Sequence, residues 1–403
     1  MTGDRVGIWL IGAWGGVATT TAVGLAALQR GLTDETGLVS ALPRYRELDL
    51  APWDRFVVGG HEIRETTYAA EAARLHEQSR VFDPRVLEAT ADVLAEWDES
   101  VRPGTLRGVG PTIESLAGGA ARDRIWESPT EAINRTAAHI EEFRDRHALE
   151  YVVVVNVAST EPPLADAEVP ETWDELRGTL DDSTRPALPA SALYAIAAFD
   201  AGCGYVNFTP SVGSSLPAIR ELAQLKGMLH AGQDGKTGET LLKSVLAPMF
   251  ADRHLDVMSW VGHNIFGNLD GKVLDDPVNK ASKVRSKDTL LGDILGYKPQ
   301  SLVSIEYIES LGDWKTAWDH IHFRGFLGTP MTLQFTWQGC DSLLAAPLVL
   351  DLVRLTERER RRGASGVMEH LAAFFKSPMG TASRRFDEQC FELARWADEV
   401  ARD

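Results

Sequence analysis

The chain has 403 residues, 44% hydrophobic and 25% charged, the proportions of a globular protein with room for about two or three domains. Its 41 Lys and Arg against 58 Asp and Glu leave a formal net charge of −17, which repels polyphosphate backbones and excludes nucleic-acid binding by bulk charge. Three scattered cysteines, Cys203, Cys340 and Cys390, make neither a disulfide framework nor a zinc site and read as small buried residues in a reducing, cytoplasmic setting.

The uncharged run Val6–Gln29 is long enough to span a bilayer. Gly12, Gly15, Gly16 and the Thr19–Thr21 run interrupt it, however, so it reads as soluble structure and no membrane partner is expected. Val6–Ile11 is predicted as a buried strand, Gly12–Gly16 as a turn, and Val17–Arg30 as a helix stopped by Gly31. Thr36–Leu42 is predicted as a second short strand. Residues 66–100 and 122–150 carry amphipathic helical patterns, separated by a glycine-rich loop from Gly104 to Gly119. Tyr151–Val157 is the strongest strand, with a Pro- and acid-rich loop after it. Ser191–Ala201 reads as a helix and Gly204–Phe208 as a strand. Strands alternating with helices over the first 235 residues predict an α/β fold with a parallel, doubly wound sheet.

Beyond residue 250 the pattern changes. Val257–Gly262, Leu302–Ile308, His320–Leu327 and Met331–Trp337 read as strands with few helices between them, hence an inserted α+β unit with a mixed or antiparallel sheet. Leu343–Thr356 returns to helix. Residues 45–60 and 262–290 are rich in glycine and charge and are expected to order on ligand binding.

Strand, Gly12-x-x-Gly15-Gly16, then helix is a dinucleotide-type turn: glycines let the backbone approach a pyrophosphate held at a helix N-terminus. Glu62 is the candidate acid for a ribose. HEIRE, at residues 61–65, lacks the second histidine of a zinc-protease helix. Gly235-Lys236-Thr237 resembles the end of a P-loop, but His230 stands where its first glycine belongs. What remains is a Gly/Thr turn entering the helix Glu239–Phe250, a seat for a phosphate monoester on Thr237 and the amides beside it. Lys283 and Lys287 are spaced i, i+4 in a cationic segment with Lys280 and Arg285, which suits a bound anion and a proton-carrying lysine. Lys315 is expected after a strand, Lys376 lies beside Phe374 and Phe375, and Asp341 opens an apolar helix, where capping is the simpler reading.

The stretches GAWGGVATTT, GGHEI, NVASTEPP, YVNFTPS, AGQDGKTGET, HNIFGNLDGK, SKVRSKD, GDWKTAWD, CDSLLAAPL and FFKSP together resemble the myo-inositol-1-phosphate synthase family, particularly its shorter archaeal-type branch. The resemblance implies a Rossmann-type NAD-binding domain from residues 1–235 and 342–403. It also implies a catalytic and tetramerisation domain over 236–341, and a homotetramer. On the matching positions it implies NAD contacts at Gly12, Ala13, Trp14, Gly15, Gly16, Glu62, Asn156 and Ser159. It implies catalytic roles for Lys283, Lys315, Lys376, Asp234 and Asp341. Substrate and its phosphate are expected about Thr237, Gly238, Asn264, Phe266, Asn268, Asp270 and Lys287. Phe266 and Asn268 stand where the archaeal branch tends to carry a smaller aliphatic residue and an acid.

The implied activity is closure of a hexose 6-phosphate, a small-molecule sugar phosphate, into a carbocycle with recycled NAD, glucose 6-phosphate giving a myo-inositol phosphate: oxidation at C5, enolisation, aldol attack of C6 on C1, and re-reduction. A divalent metal or a monovalent cation is left open. The same steps on fructose 6-phosphate would close a five-membered ring. Two readings from other classes are a dehydrogenase with net redox turnover and a non-catalytic sugar-phosphate sensor.

Overall fold

The computed structural model describes residues 5–164, 169–268, 271, 290–381 and 383–402. Its strands are β1 (Arg5–Ile11), β2 (Phe56–Glu62), β3 (Val101–Pro103), β4 (Leu149–Asn156), β5 (Gly204–Asn207), β6 (Leu229–Gly232), β7 (Asp256–Phe266), β8 (Gln300–Tyr307), β9 (Trp314–Arg324), β10 (Pro330–Cys340) and β11 (Gly366–Val367). The longer helices are α1 (Gly16–Gln29), α2 (Tyr68–Ser79), α3 (Pro84–Asp98), α4 (Pro129–Arg146), α5 (Ala190–Asp200), α6 (Pro217–Lys226), α7 (Gly238–Asp252), α8 (Asp341–Arg361) and α9 (Phe386–Val400).

Seven strands form one sheet in the order β11-β6-β5-β4-β1-β2-β3, every pairing in it parallel. Such a sheet is covered on both faces, which is why β1 and β4 are continuous apolar runs rather than alternating ones. Val6, Ile8–Ile11 and Val152–Val155 are all buried in the main core. The strand order reverses between β1 and β4, and ligands of open α/β sheets bind outside the carboxyl ends at such a point. Helix starts follow local chemistry. Ser128 and Glu131 form a capping box at α4, and Asp83 caps α3 ahead of Pro84. Helix α8 follows the second sheet and returns to pack on α1, β4 and β5.

The second sheet has the order β10-β9-β7-β8. β9 is antiparallel to β10 and β7, while β7 and β8 are parallel, so it is mixed. Its core is small: Trp260, Ile321 and Phe323 pack on Ala247 and Phe250 of α7.

Two sequence expectations fail locally. Thr36–Leu42 is not a strand but leads into a short 3₁₀ turn, Val39–Ala41. The amides of Val39 and Ser40 donate to the buried carboxylate of Asp351 on α8, at 2.6 and 3.0 Å, in place of a neighbouring strand. β9 starts at Trp314 and ends at Arg324, since Leu327 sits at φ +60 in the following turn; Lys315 therefore lies within a strand. In residues 45–60, Tyr45, Leu48 and Phe56–Val58 belong to the main core. Of 262–290, residues 262–266 complete β7, while 269–270 and 272–289 lie outside the described residues. No helix among the described residues is long and apolar enough to cross a membrane.

His370 stacks on Trp396 with ring centroids 4.3 Å apart, and its buried Nε2 has no hydrogen-bond partner among the described residues. Burial pushes its pKa down from 6.5 to about 3. The fold thus holds this ring neutral. Its contribution is complete above pH 6.5 and is lost as pH falls towards 3. His370→Phe keeps the stacking and removes the titration, so its melting temperature gains on wild type at pH 5 by the equivalent of roughly 1–2 kcal/mol. The gain vanishes at pH 8 in thermal scans.

Candidate active site

The glycine turn joins β1 to α1. Gly12 has φ +81, and a Cβ there would lie 2.8 Å from Ala158 Cα, so the turn rests against the chain leaving β4. No side chain caps α1, whose N-cap is Gly15, and its first amides are left for an anion. The turn is pinned from β2: the amides of Gly12 and Ala13 donate to the His61 carbonyl at 2.9 and 3.1 Å. Trp14 N–H donates to Glu62 Oε2 at 2.9 Å.

Glu62 is buried and already engaged. Its Oε1 accepts the amides of Ile63 and Arg64, and Arg64 Nη2 lies 3.0 Å from Oε2. Ala13 is buried, and the Trp14 indole donates to Asp98 at 2.7 Å. These two therefore brace the turn, while Gly12, Gly15, Gly16, Glu62, Asn156 and Ser159 line the cleft.

The cleft floor is a polar network at strand ends. Asn156 Nδ2 donates to Asn207 Oδ1 and Thr209 Oγ1, each at 3.2 Å. Glu161 accepts from Ser191 N at 2.8 Å and Ser191 Oγ at 2.5 Å, and burial raises its pKa from 4.5 to about 7. The sequence reading missed Asn207, Thr209 and Glu161. The available signal was the polar residue that ends each apolar strand at the carboxyl edge of the sheet.

On the far wall, residues 232–237 run beside 374–379. Lys236 N donates to Phe374 O, Lys376 N to Asp234 O, and Ser377 N to Gln233 O. This pairing sets Lys376 Nζ 2.8 Å from Asp234 Oδ1. The other oxygen of Asp234 is buried with no hydrogen-bond partner among the described residues.

A second lysine–aspartate pair comes from the mixed sheet. Lys315 Nζ lies 3.8 Å from Asp341 Oδ1 and 5.1 Å from the centre of the Phe266 ring. Asp341 is the first residue of α8, whose N-cap is Cys340 without a side-chain cap, so its carboxylate serves the lysine and not the helix end. Next to this second pair in the chain is Asp313, which lines the cleft and which the sequence reading also missed. It accepts from Ser342 N (2.9 Å), Ser342 Oγ (3.0 Å), the Cys340 thiol (2.7 Å) and Asn268 Nδ2 (3.1 Å). Burial, reinforced by Asp341, raises its pKa.

Asp234, Thr237, Asn268, Asp341 and Lys376 line the same cleft as the glycine turn. Thr237 is the N-cap of α7 and Gly238 its first residue, at φ +51. Asn264 is fully buried on β7; its Oδ1 has no hydrogen-bond partner among the described residues. Phe266 is buried against Ile305. Lys283, Lys287 and Asp270 lie outside the described residues. Among the described residues, no group of three or more His, Cys, Asp or Glu is placed to hold a metal ion.

Residues 6–398 match the model of a family described as myo-inositol-1-phosphate synthase. The chain belongs to the myo-inositol-1-phosphate synthase family. Inositol-3-phosphate synthase 1 of Bacteroides thetaiotaomicron is 31% identical over 427 positions, covering 99% of this chain and 95% of that one. Inositol-3-phosphate synthase 1 of Oryza sativa subsp. japonica is 33% identical over 259 positions, 62% of this chain but only 50% of the rice protein. The crystal structure of inositol-3-phosphate synthase from Caenorhabditis elegans shares the fold, with a TM-score of 0.86 at 23% identity over 99% of this chain and 86% of that one. The myo-inositol-1-phosphate synthase family is one of NAD-binding proteins. The glycine cradle and uncapped α1 fit a dinucleotide pyrophosphate.

Two outcomes test this geometry. A Cβ at residue 12 would meet the backbone at Ala158 and oppose a positive φ, so Gly12→Ala weakens NAD binding by about 100-fold or more, read by titrating bound NAD. Glu161 holds its proton more tightly folded than unfolded; that contribution is full below pH 4.5 and is lost as pH rises to about 7. Glu161→Gln therefore melts above wild type at pH 8, by the equivalent of up to about 3 kcal/mol, and the difference closes at pH 4.5.

Proposed function

We propose that this chain converts glucose 6-phosphate into a myo-inositol phosphate by internal oxidation, enolisation, intramolecular aldol closure and re-reduction. The observation that carries this reading is that the partly buried Lys376–Asp234 pair lines the same cleft as the glycine turn, in a chain that matches the synthase family over residues 6–398. NAD bound at the turn supplies an acceptor and then a donor of hydride.

The chain's own groups divide the remaining work. Gly12, Gly15 and Gly16 hold the pyrophosphate on open amides, with Ala13 and Trp14 bracing them, while Glu62, Asn156 and Ser159 orient the two ends of the cofactor. Thr237 and Gly238 seat the substrate phosphate at the start of α7 and Asn268 stands at the cleft wall; the family resemblance also gives Lys287 and Asp270 a share in substrate binding. Asp234 Oδ2 and Asn264 Oδ1 are buried acceptors without partners among the described residues, which suits a polyol bringing hydroxyl donors.

Lys376 Nζ takes the proton of the C5 hydroxyl, and Asp234 fixes its position. The substrate's own phosphate, adjacent to C6, takes a C6 proton and leaves an enolate, whose C5 oxygen needs fixed positive charge. Lys315, held by Asp341 over Phe266, and Lys283 provide it, a contribution of several kcal/mol in a water-poor site. C6 attack on the C1 aldehyde forms the ring bond and the proton taken from C6 passes to the resulting alkoxide, while Lys376 returns its proton to the C5 oxygen as hydride comes back to C5.

We also infer that residues 1–235 with 342–403 form the cofactor-binding unit and 236–341 the catalytic and self-associating one. The placement of the parallel strands and of the mixed sheet supports this division. The outer face of the mixed sheet exposes Ile265, Leu302 and Trp318, which supports burial against further copies in a homotetramer. Free cysteines at all three positions suit a cytoplasmic location.

Incubation with NAD and either glucose 6-phosphate or fructose 6-phosphate, followed by NMR of the product, tests the function. The expected product is a six-membered cyclitol phosphate from glucose 6-phosphate, with no net NADH. Accumulation of NADH in step with sugar consumption, or a five-membered ring from the ketose alone, overturns it. Lys376→Ala lowers kcat by about 100-fold or more while leaving NAD affinity within about twofold.

A further inference from the structure

The inner face of the mixed sheet changes character along its length. On β9 that face reads Phe323, Ile321, Asp319, Ala317, Lys315, and on β7 beside it Trp260, Gly262, Asn264, Phe266. The first members of each series are the apolar core under α7. The last are the residues assigned above to substrate. Between them lies a buried cluster of charge that the mechanism does not use.

Lys243, one helical turn after Glu239 on α7, places Nζ 2.5 Å from Glu239 Oε1 and 3.7 Å from Asp319 Oδ1. The lysine and glutamate side chains are 2% exposed and the aspartate is fully buried. Trp260 Nε1 donates to Asp319 Oδ1 at 2.7 Å. Gly262 makes room: a Cβ there would lie 2.6 Å from Glu239 Oε1 and 3.0 Å from Asp319 Oδ1.

Buried ion pairs of this kind are seldom more stabilising than apolar packing of equal volume, because each charge must be desolvated. They do tolerate only one geometry. Here that geometry joins two elements that both reach the cleft: α7 begins at the Thr237–Gly238 seat, and β9 carries Lys315 four residues before Asp319, about 13 Å along the strand.

We propose that Lys243, with Glu239 and Asp319, is a positioning residue that locks the first turn of α7 to β9 and so sets the phosphate seat at a fixed span from Lys315. This rests on the reading that the substrate phosphate sits at Thr237 and Gly238. Asp319→Asn keeps an oxygen for Trp260 and the side-chain shape while removing one charge; Lys243→Met keeps the length of the stem.

The test compares wild type and both variants, loaded with NAD, in calorimetric titrations with inorganic phosphate and in glucose 6-phosphate kinetics. The expected result is a rise of about tenfold in both the phosphate Kd and the KM, with kcat and NAD affinity within about twofold. Phosphate Kd within about twofold of wild type in folded Asp319→Asn overturns the proposal, as does a parallel loss of NAD affinity. If Lys243→Met fails to fold, Asp319→Asn alone decides. Failure of wild type to cyclise glucose 6-phosphate sinks the reaction and leaves the phosphate titration to judge the seat.

Discussion

An ammonium group enters a protein interior only in company. Drawing it even partly out of water is costly unless a polar partner, best a carboxylate, arrives with it, and at this cleft Lys376 and Lys315, both partly buried, each meet one. Lys376 obtains its partner from Asp234, 142 residues earlier, through backbone pairing of two loops that neither belongs to a long strand nor resembles one in sequence. Lys315 obtains its partner from Asp341, where β10 gives way to α8. Asp313, saturated by four donors from Asn268, Cys340 and Ser342, fastens the start of β9 to the start of α8. The mixed sheet is thus fastened to α8, the helix that packs on the parallel sheet.

The cofactor side obeys a different constraint, close approach of backbone. Gly12 leans on the chain after Asn156, and Glu62 reaches across to the turn from the next strand. A carboxylate so fully occupied is a brace first and a ligand second. The polar network of Asn156, Asn207 and Thr209 continues this wall at the carboxyl edge, where a doubly wound sheet leaves its strand ends open.

Much of the parallel sheet was legible in the chain because β1 and β4 are buried on both faces and therefore announce themselves as unbroken apolar runs. The Thr36–Leu42 segment has similar composition, yet it folds as a turn, since what satisfies its amides is Asp351, more than three hundred residues away. No local pattern carries that information. The same holds for the start of β9: Trp314–Asp319 mixes charge with aromatic rings, and its alternation becomes visible only once one face is known to meet ions instead of apolar core. Lysines and aspartates of the cleft stood out within ordered motifs, whereas Asp313 and Glu161, though inside such motifs, and Lys243 did not stand out, because their importance lies in partners contributed by other elements. A buried charge is a tertiary fact.

The loop crossing that delivers Lys376 has a consequence for the life of the molecule. Residues 374–379 emerge from synthesis after nearly everything else in the cleft has been made, and they bring with them Lys376, the amine proposed above to move a proton. The same stretch carries Phe374 and Phe375 into the main core. The far wall of the cleft and the closing of the core are therefore completed together, in the last few seconds of translation.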